Sequence, residues 1–584
     1  MPTLRAAFAE VAKRTAVEIE ARYGGSSILD SEAVMAGRIT SRPMELLAAG
    51  QPLSVVTLGG SAATGSDAGG ADIAFPAVLV SKLNAMAQLA ESRHNFGSAT
   101  SSLPQLLGRA HDLNMAIGDT NSLFASLHVR SLVPRPISPQ QDDRLLLWDY
   151  TINDGRSGRK VFTPEARRFL LSVLLRQLQT LHPPPPLLLA FGYSYEDVGG
   201  LPDSIKAGGC RLHNDTFVSD LPVLLSSVWA VGAVHLAGLA CALEHHGPSS
   251  RKDGGTPLHL VGCASHEGWI SPNRTGHAHP SRLGHEVTAD LLLRSLIRAW
   301  LPRNSQSTQR SQSSGISSSA GDQRALLMRE QAGIVRSCTP PRLPQTNGSN
   351  VSTASSSALL AHALMHGRTD SYLAWQPSLA ASTSAGRAGN RSSGSSRLRV
   401  VTQPLQLRNF VPQSNGRRDA KSGAMIPSCD HGRMHFELLL AKAHHLSTLV
   451  WYVSIGAGEA PVNHGFDALQ ITVNERLLHQ DKASEWTAVK TYARQMCGWA
   501  SSVPMFRWAH VPEEASRCNG DGVCAISFCV LKKPRGSTRT NRSLLVQQDD
   551  GDGFISWLAA VSLGSGGRSA RNRSEAGTAS RRAE

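Results

Sequence analysis

The 584-residue chain has nine cysteines but none of the short paired spacings that hold a metal ion, so neither a metal site nor any other cofactor is expected. It also lacks a leader-like apolar core at its amino end. The opening MPTLRAAFAEVAKRTAVEIEARYGG carries charges throughout and reads as an amphipathic helix. Its basic stretches lack interleaved aromatic rings. The formal net charge is +14. Residues 303–421, with 14 Arg and one Lys against four acidic residues, hold +11 of it, and residues 566–584 hold +3, so the remainder is close to neutral. Arginines set among Ser and Gly describe a solvated linker and tail, capable of salt-sensitive attraction to polyanions or acidic membrane. They do not describe a specific nucleic-acid surface. Long charge-free runs are also scarce. Val223–Leu243 spans 21 residues without formal charge, the length of a bilayer span, but His235, two Ser and two Gly interrupt it. It is read as a buried helix, and no membrane span is expected.

What is present divides the chain. The length implies two or three domains, and 41% apolar residues suffice for folded cores with some unstructured chain beside them. The expected organisation is a helical extension over 1–49, an α/β domain over 50–302, a largely flexible Ser/Arg/Gly-rich linker over 303–397, a β-rich domain over 398–565 and a basic tail over 566–584. The run SRCNGDGVCAISFC reads as a turn between two strands, which a Cys518–Cys524 disulfide could staple. Asn-x-Ser/Thr sequons begin at Asn214, Asn273, Asn347, Asn350, Asn390, Asn541 and Asn572 and lean toward a glycosylated, secretory or extracellular setting, with a leader upstream of residue 1.

Within 50–302, short apolar runs at Leu53–Leu58, Leu145–Asp149, Pro186–Phe191 and Pro257–Cys263 predict strands buried on both faces of a parallel sheet. Helices lie between them. Thr163 is a good N-cap, with Pro164 in the first helical position and Glu165 in the first turn. Phe169, Leu170, Val173, Leu174, Leu178 and Leu181 then keep helical spacing until the prolines at 183–186 stop it. A second helix is predicted over Glu286–Leu301. The alternation implies a flavodoxin-like doubly wound sheet. From Leu398 onward, strand-like runs without long helices imply a sandwich-like β domain, suited to a carbohydrate or protein partner.

Four loops carry the chemistry. LSVVTLGGSAATG breaks from a strand onto Gly-Gly-Ser, leaving the Ser61 hydroxyl without bulk beside it, as a nucleophile requires. HNFGSATSS over 94–102 is small and polar. LLLWDYTINDG places Asn153 and Asp154 past a strand, and HAHPSRLGH places His279 and His285 before the last helix. In a parallel sheet, loops at the strand carboxyl ends share one edge, where His279 can serve as base and an Asn side chain with backbone amides can hold an oxyanion. Each loop alone also reads as an ordinary turn.

Gly59-Gly60-Ser61 with Thr64 and Gly65, Asn95-Phe96-Gly97, Asn153-Asp154, and His279-Pro280 with Gly284-His285 together resemble the four sequence blocks of the SGNH (GDSL-like) hydrolase superfamily. DYTIND and the appended β-rich region look like its larger plant and algal members. The resemblance implies Ser61 as nucleophile and His279 as base, with Asn153 and the Ser61 and Gly97 amides as the oxyanion hole. Ser98 and Ala99 compete with Gly97, and His277 with His279. It implies hydrolysis of carboxylic esters of lipids or carbohydrates through an acyl-enzyme, with a small-molecule or glycan ester as substrate. Glycan O-acyl transfer on the same residues is the alternative. Three departures stand out: Gly276 occupies the place of the family's Asp three residues before the histidine, Thr151 the place of a glycine two positions before Asn153, and the second block around Gly97 is compressed. Gly276 favours a third possibility, a binding protein that keeps the fold without catalysis.

Overall fold

The computed structural model describes residues 4–95, 107–157, 160–161, 171–191, 231–245, 269–272 and 278–301, with short breaks, and then the strands between 369 and 564 with their tight connections. The chain forms two compact units. The first comprises Met1–Ser122, Val133–Ser172 and Leu181–Ile334, and the second Leu123–Leu132, Val173–Thr180 and Val335–Glu584.

The first unit is built on a six-stranded sheet of β1 (Met35–Gly37), β2 (Leu53–Gly59), β3 (Ala110–Asn114), β4 (Arg144–Asp149), β5 (Leu187–Phe191) and β6 (Val231–His235). Its order is β1-β6-β5-β4-β2-β3. Five strands run parallel, and β1 pairs antiparallel with β6 at the edge. In chain order the parallel strands lie 2-1-3-4-5, the flavodoxin-like arrangement. Central strands covered on both faces need apolar side chains at every position: β4 is buried throughout, and β2 at all but Ser54. The edge strand β3 is polar, AHDLN, and only Ala110 of it is buried.

Helices α1 (Leu4–Arg22), α2 (Phe75–Asn95) and α5 (Arg282–Trp300) pack on one another. α3 (Ser122–Leu132) follows β3, and α4 (Leu236–His245) follows β6. The amino-terminal helix is part of the core: Phe8, Val11, Ala12, Ala16 and Ile19 are buried with the α2 and α5 residues. Asp290 of α5, its side chain almost wholly buried, accepts from Arg22, Tyr23 and Lys82, tying three helices together. Arg294 and Arg298 make a second cluster with Glu20 and Asp30. Removing a buried ion leaves its partners without compensation, a loss of about 3–5 kcal/mol where the partners are buried too. Arg22 and Lys82 keep access to water, so Asp290→Ala is expected to lower stability by a smaller amount, roughly 2–3 kcal/mol, read by urea unfolding.

The charge-free run at Val223–Leu243 differs from expectation. Val231–His235 is strand β6, and helix α4 begins immediately at Leu236. A short apolar run fits a buried parallel strand as well as a buried helix, and here one run supplies both. Among the described residues no helix is long and apolar enough to cross a membrane. The run Pro257–Cys263 and the helix start at Thr163 lie outside the described residues. Leu171, Val173–Leu175, Gln177 and Leu178 are helical and buried.

The second unit's strands are paired antiparallel in sheets of four, five and three. Thr369–Ala374, inside the stretch expected to be linker, pairs with Leu558–Gly564. Its short TDSYLA was hidden by the Ser/Arg/Gly-rich chain around it. In the five-stranded sheet Leu469, Ile471, Val473, Ile526 and Phe528 are buried, while Gln470, His435, Glu437 and Ser527 retain exposure. Asn474 and Glu475, both at positive φ, make the two-residue turn between Phe466–Val473 and Arg476–Lys482. Among the described residues, disulfides join Cys429 to Cys529 and Cys518 to Cys524.

Candidate active site

Strand β2 ends at Gly59, and the chain turns tightly over residues 60–65. Thr64 N donates to Gly60 O, Gly65 N to Ala62 O, and the Thr64 hydroxyl to Ser61 O. Gly60 N donates to Asp149 O on the neighbouring β4. This pins the start of the turn and leaves Ser61 half-buried at the carboxyl edge of the sheet.

The histidine arrives on a separate device. β7 (Ile270–Pro272) and β8 (Ala278–Pro280) form an antiparallel pair in which His279 faces Ser271. Ser281 then caps α5, its side chain accepting from Gly284 N at 3.1 Å, and its own N–H donates to Trp269 O at 2.8 Å. Gly284 is required by this approach, because a Cβ there would lie 2.0 Å from Trp269 O. The strand pair and the helix cap fix the backbone of His279. Its Nε2 lies 2.8 Å from Ser61 Oγ, across 218 residues of sequence. The first unit therefore joins Ser61 and His279 at the carboxyl edge of a flavodoxin-like sheet.

Asn153 sits in the short helix Thr151–Gly155 that follows β4. Its Nδ2 donates to Thr120 O, and the same Nδ2 would lie 2.4 Å from a Cβ placed on Gly60. The amide of Asn153 and the turn that carries Ser61 are therefore in direct apposition, and only glycine at position 60 permits it. Gly60→Ala must push the amide away. It is expected to lower turnover by at least about tenfold with the melting temperature nearly unchanged, as measured by steady-state kinetics beside thermal unfolding.

The edge strand β3 pairs with β2, and the chain that follows it, residues 115–117, lies alongside β2: Met115 N donates to Thr57 O and Ile117 N to Gly59 O. Asn114 joins the two, its Nδ2 donating to Ala63 O and its Oδ1 accepting from Ala116 N. Gly97, with Ser98, Ala99 and the 96–106 stretch, lies outside the described residues. The chain resuming at Leu107 and Gly108 is bound to Glu91 and Leu47 at the amino edge, where Leu53 N meets Arg109 O. Asn114 and Thr120 were missed because β3 is too polar to read as a strand. A usable signal was its position, one helix after β2. Gly118, Gly276 and His277 also lie outside the described residues.

Two buried groups set the electrostatics. His285, sealed in the core, accepts from Phe75 N at Nδ1 and stacks on the Phe75 ring. Burial, and then the nearby His279, lower its pKa to about 3, so it stays neutral beside His279. Burial raises the Asp149 carboxyl to about 7, against which the Thr151 hydroxyl donates. A raised carboxyl pKa means that the folded chain keeps a proton which the unfolded chain has lost, so this group's contribution to stability falls as pH rises from about 4 to about 7. Asp149→Asn is therefore expected to raise stability at pH 8 relative to the wild type and to leave it unchanged near pH 3.5, in paired denaturant titrations. Among the described residues no group of three His, Cys, Asp or Glu is placed to hold a metal ion.

No protein-family model matches the chain, and no curated protein matches it in sequence. Among solved structures it is similar to a two-domain esterase active on acetylated mannans, with 10% identity over 91% of this chain and 98% of that one and a TM-score of 0.40. The same esterase co-crystallized with mannopentaose gives 11% identity, 92% and 98% coverage and a TM-score of 0.41. A protein described as a GDSL-like lipase, from Parabacteroides merdae, gives 14% identity over 42% of this chain and 95% of that one, with a TM-score of 0.25.

Proposed function

We propose that the chain is a serine hydrolase of SGNH type, cleaving carboxylic esters of carbohydrates or lipids through an acyl-enzyme on Ser61. The observation that carries this reading is the 2.8 Å contact between Ser61 Oγ and His279 Nε2 at the carboxyl edge of the sheet, with Asn153 beside the same turn.

In the first half-reaction Ser61 Oγ attacks the ester carbonyl carbon while its proton passes to His279 Nε2. Charge develops on the carbonyl oxygen and is met by the Ser61 N–H and the second amide hydrogen of Asn153, the first being committed to Thr120 O. The Gly97 amide, expected as a third donor, lies outside the described residues. The tetrahedral species collapses by breaking the bond to the leaving alkoxide, which takes the proton from His279. Water, deprotonated by His279, then attacks the acyl carbon, and Ser61 leaves with that proton. Neutral His285 adds no second positive charge when His279 is protonated. Fixing of the His279 backbone by the β7–β8 pair and the Ser281 cap is the proposed compensation for Gly276, at some loss of rate.

With 4-nitrophenyl acetate the full chain should release a burst of nitrophenol equal to the enzyme present, and the peptide containing Ser61 should carry one acetyl group. A linear time course with no acyl group on that peptide would refute the reading.

A further inference from the structure

The oxyanion side of the site is held by a buried lock that no catalytic role yet accounts for. Asn153 takes its orientation from Thr120 O, and Thr120 lies on the connection between β3 and α3. Two further hydrogen bonds fasten that connection to β4 and the segment after it. Ser122 N donates to Asp154 Oδ1 at 2.9 Å, and Trp148 Nε1 donates to Ser122 Oγ at 2.7 Å. Within that segment Asp154 N donates to Tyr150 O at 2.7 Å. Thr120, Ser122, Trp148, Tyr150 and Asp154 are all buried, so water cannot replace a lost partner cheaply.

We infer that Asp154 is a positioning residue: its carboxylate holds the Ser122 N–H, which fixes Thr120 O and thereby aims the Asn153 amide at the developing oxyanion. The inference rests on the proposed hydrolase reading. Asp154 itself acts at a distance from the reacting atoms. Ser122 is the first residue of α3, so its N–H is one of the helix donors without an intrahelical acceptor, and the amino end of a helix favours a negative partner. A carboxylate satisfies both. A carboxamide of the same shape keeps an acceptor oxygen and loses the charge.

The test uses the full chain, 4-nitrophenyl acetate turnover and the rate of phosphonylation of Ser61 by a fluorophosphonate. Misaiming an oxyanion donor acts on the transition state, so Asp154→Ala should lower kcat about 10- to 100-fold with KM within about twofold, and slow phosphonylation by the same factor while leaving it stoichiometric. Asp154→Asn should recover kcat to within about threefold of wild type, since the acceptor is retained. A folded Asp154→Ala with wild-type kcat, or an Asn variant as impaired as the Ala variant, would overturn the inference. Should Asp154→Ala not fold, Trp148→Phe is read instead, since it removes the donor to Ser122 Oγ in the same lock. Lowered kcat at unchanged KM supports the lock, and unchanged kcat overturns it. A wild type that is not phosphonylated at Ser61 would refute the hydrolase reading itself. A labelled wild type with an unaffected Asp154→Ala would refute only the positioning role.

Discussion

Ser61→Ala is expected to reduce ester hydrolysis by about 10⁴-fold or more in kcat, and His279→Ala by a comparable factor, with the double variant no worse than either alone. The reason is geometric. In the proposed mechanism Ser61 Oγ and His279 Nε2, 2.8 Å apart, act as one unit, so losing either member disables both. Binding should survive, because the apposed Gly60 turn, Asn153 and Thr120 remain, and KM should move little. The residual rate would report the oxyanion donors alone, so Asn153→Ala placed on top of Ser61→Ala should lower it further. Steady-state kinetics of the four variants, each checked for an unchanged melting curve, measure this. Additive losses in the Ser61/His279 double variant would show that the two do not work together.

The largest stability effect is expected in the second unit. Cys429 and Cys529 close a loop of 100 residues, and Cys518 and Cys524 lie six apart. In the chain-entropy picture a cross-link stabilises by restricting the unfolded chain, by about 4.7 kcal/mol for a 100-residue loop and about 2 kcal/mol for a six-residue one. Replacing Cys429 and Cys529 together by Ser should therefore lower the unfolding free energy of this unit by roughly 3–5 kcal/mol, and replacing Cys518 and Cys524 by less than half of that. Urea unfolding with and without reductant, beside peptide mapping under non-reducing conditions, reads both. Equal losses for the two pairs would contradict the loop-length account. Among the described residues, Cys429 also lies near Gln470, which accepts from Arg433, so the long cross-link ties a polar connection to the sheet.

Legibility in the sequence followed physical cause. β2, β4 and β5 stood out as short apolar runs because central parallel strands are covered on both faces. β3 did not, because an edge strand with His111, Asp112 and Asn114 has no apolar period. β6 was absorbed into a helix because strand and helix follow each other without a break at His235 and Leu236. Ser61, Asn153 and His279 were legible as members of short motifs. The contacts that set their geometry were not. Gly60 matters through a contact with Asn153, Thr120 through a backbone carbonyl, and Asp154 through an N–H thirty-two residues away. Such partners are chosen by the meeting of loops at one sheet edge, and local sequence carries no mark of the meeting. The Cys518–Cys524 pair was legible because both cysteines flank one turn, whereas nothing local marks Cys429 as the partner of Cys529.

The most direct test of the central claim, that Ser61 is a nucleophile activated by His279, is covalent labelling with a fluorophosphonate followed by intact-mass and peptide analysis. The account predicts one adduct per chain, on Ser61, absent from Ser61→Ala and strongly slowed in His279→Ala. No adduct on the folded wild type, or an adduct that persists in Ser61→Ala, would contradict it.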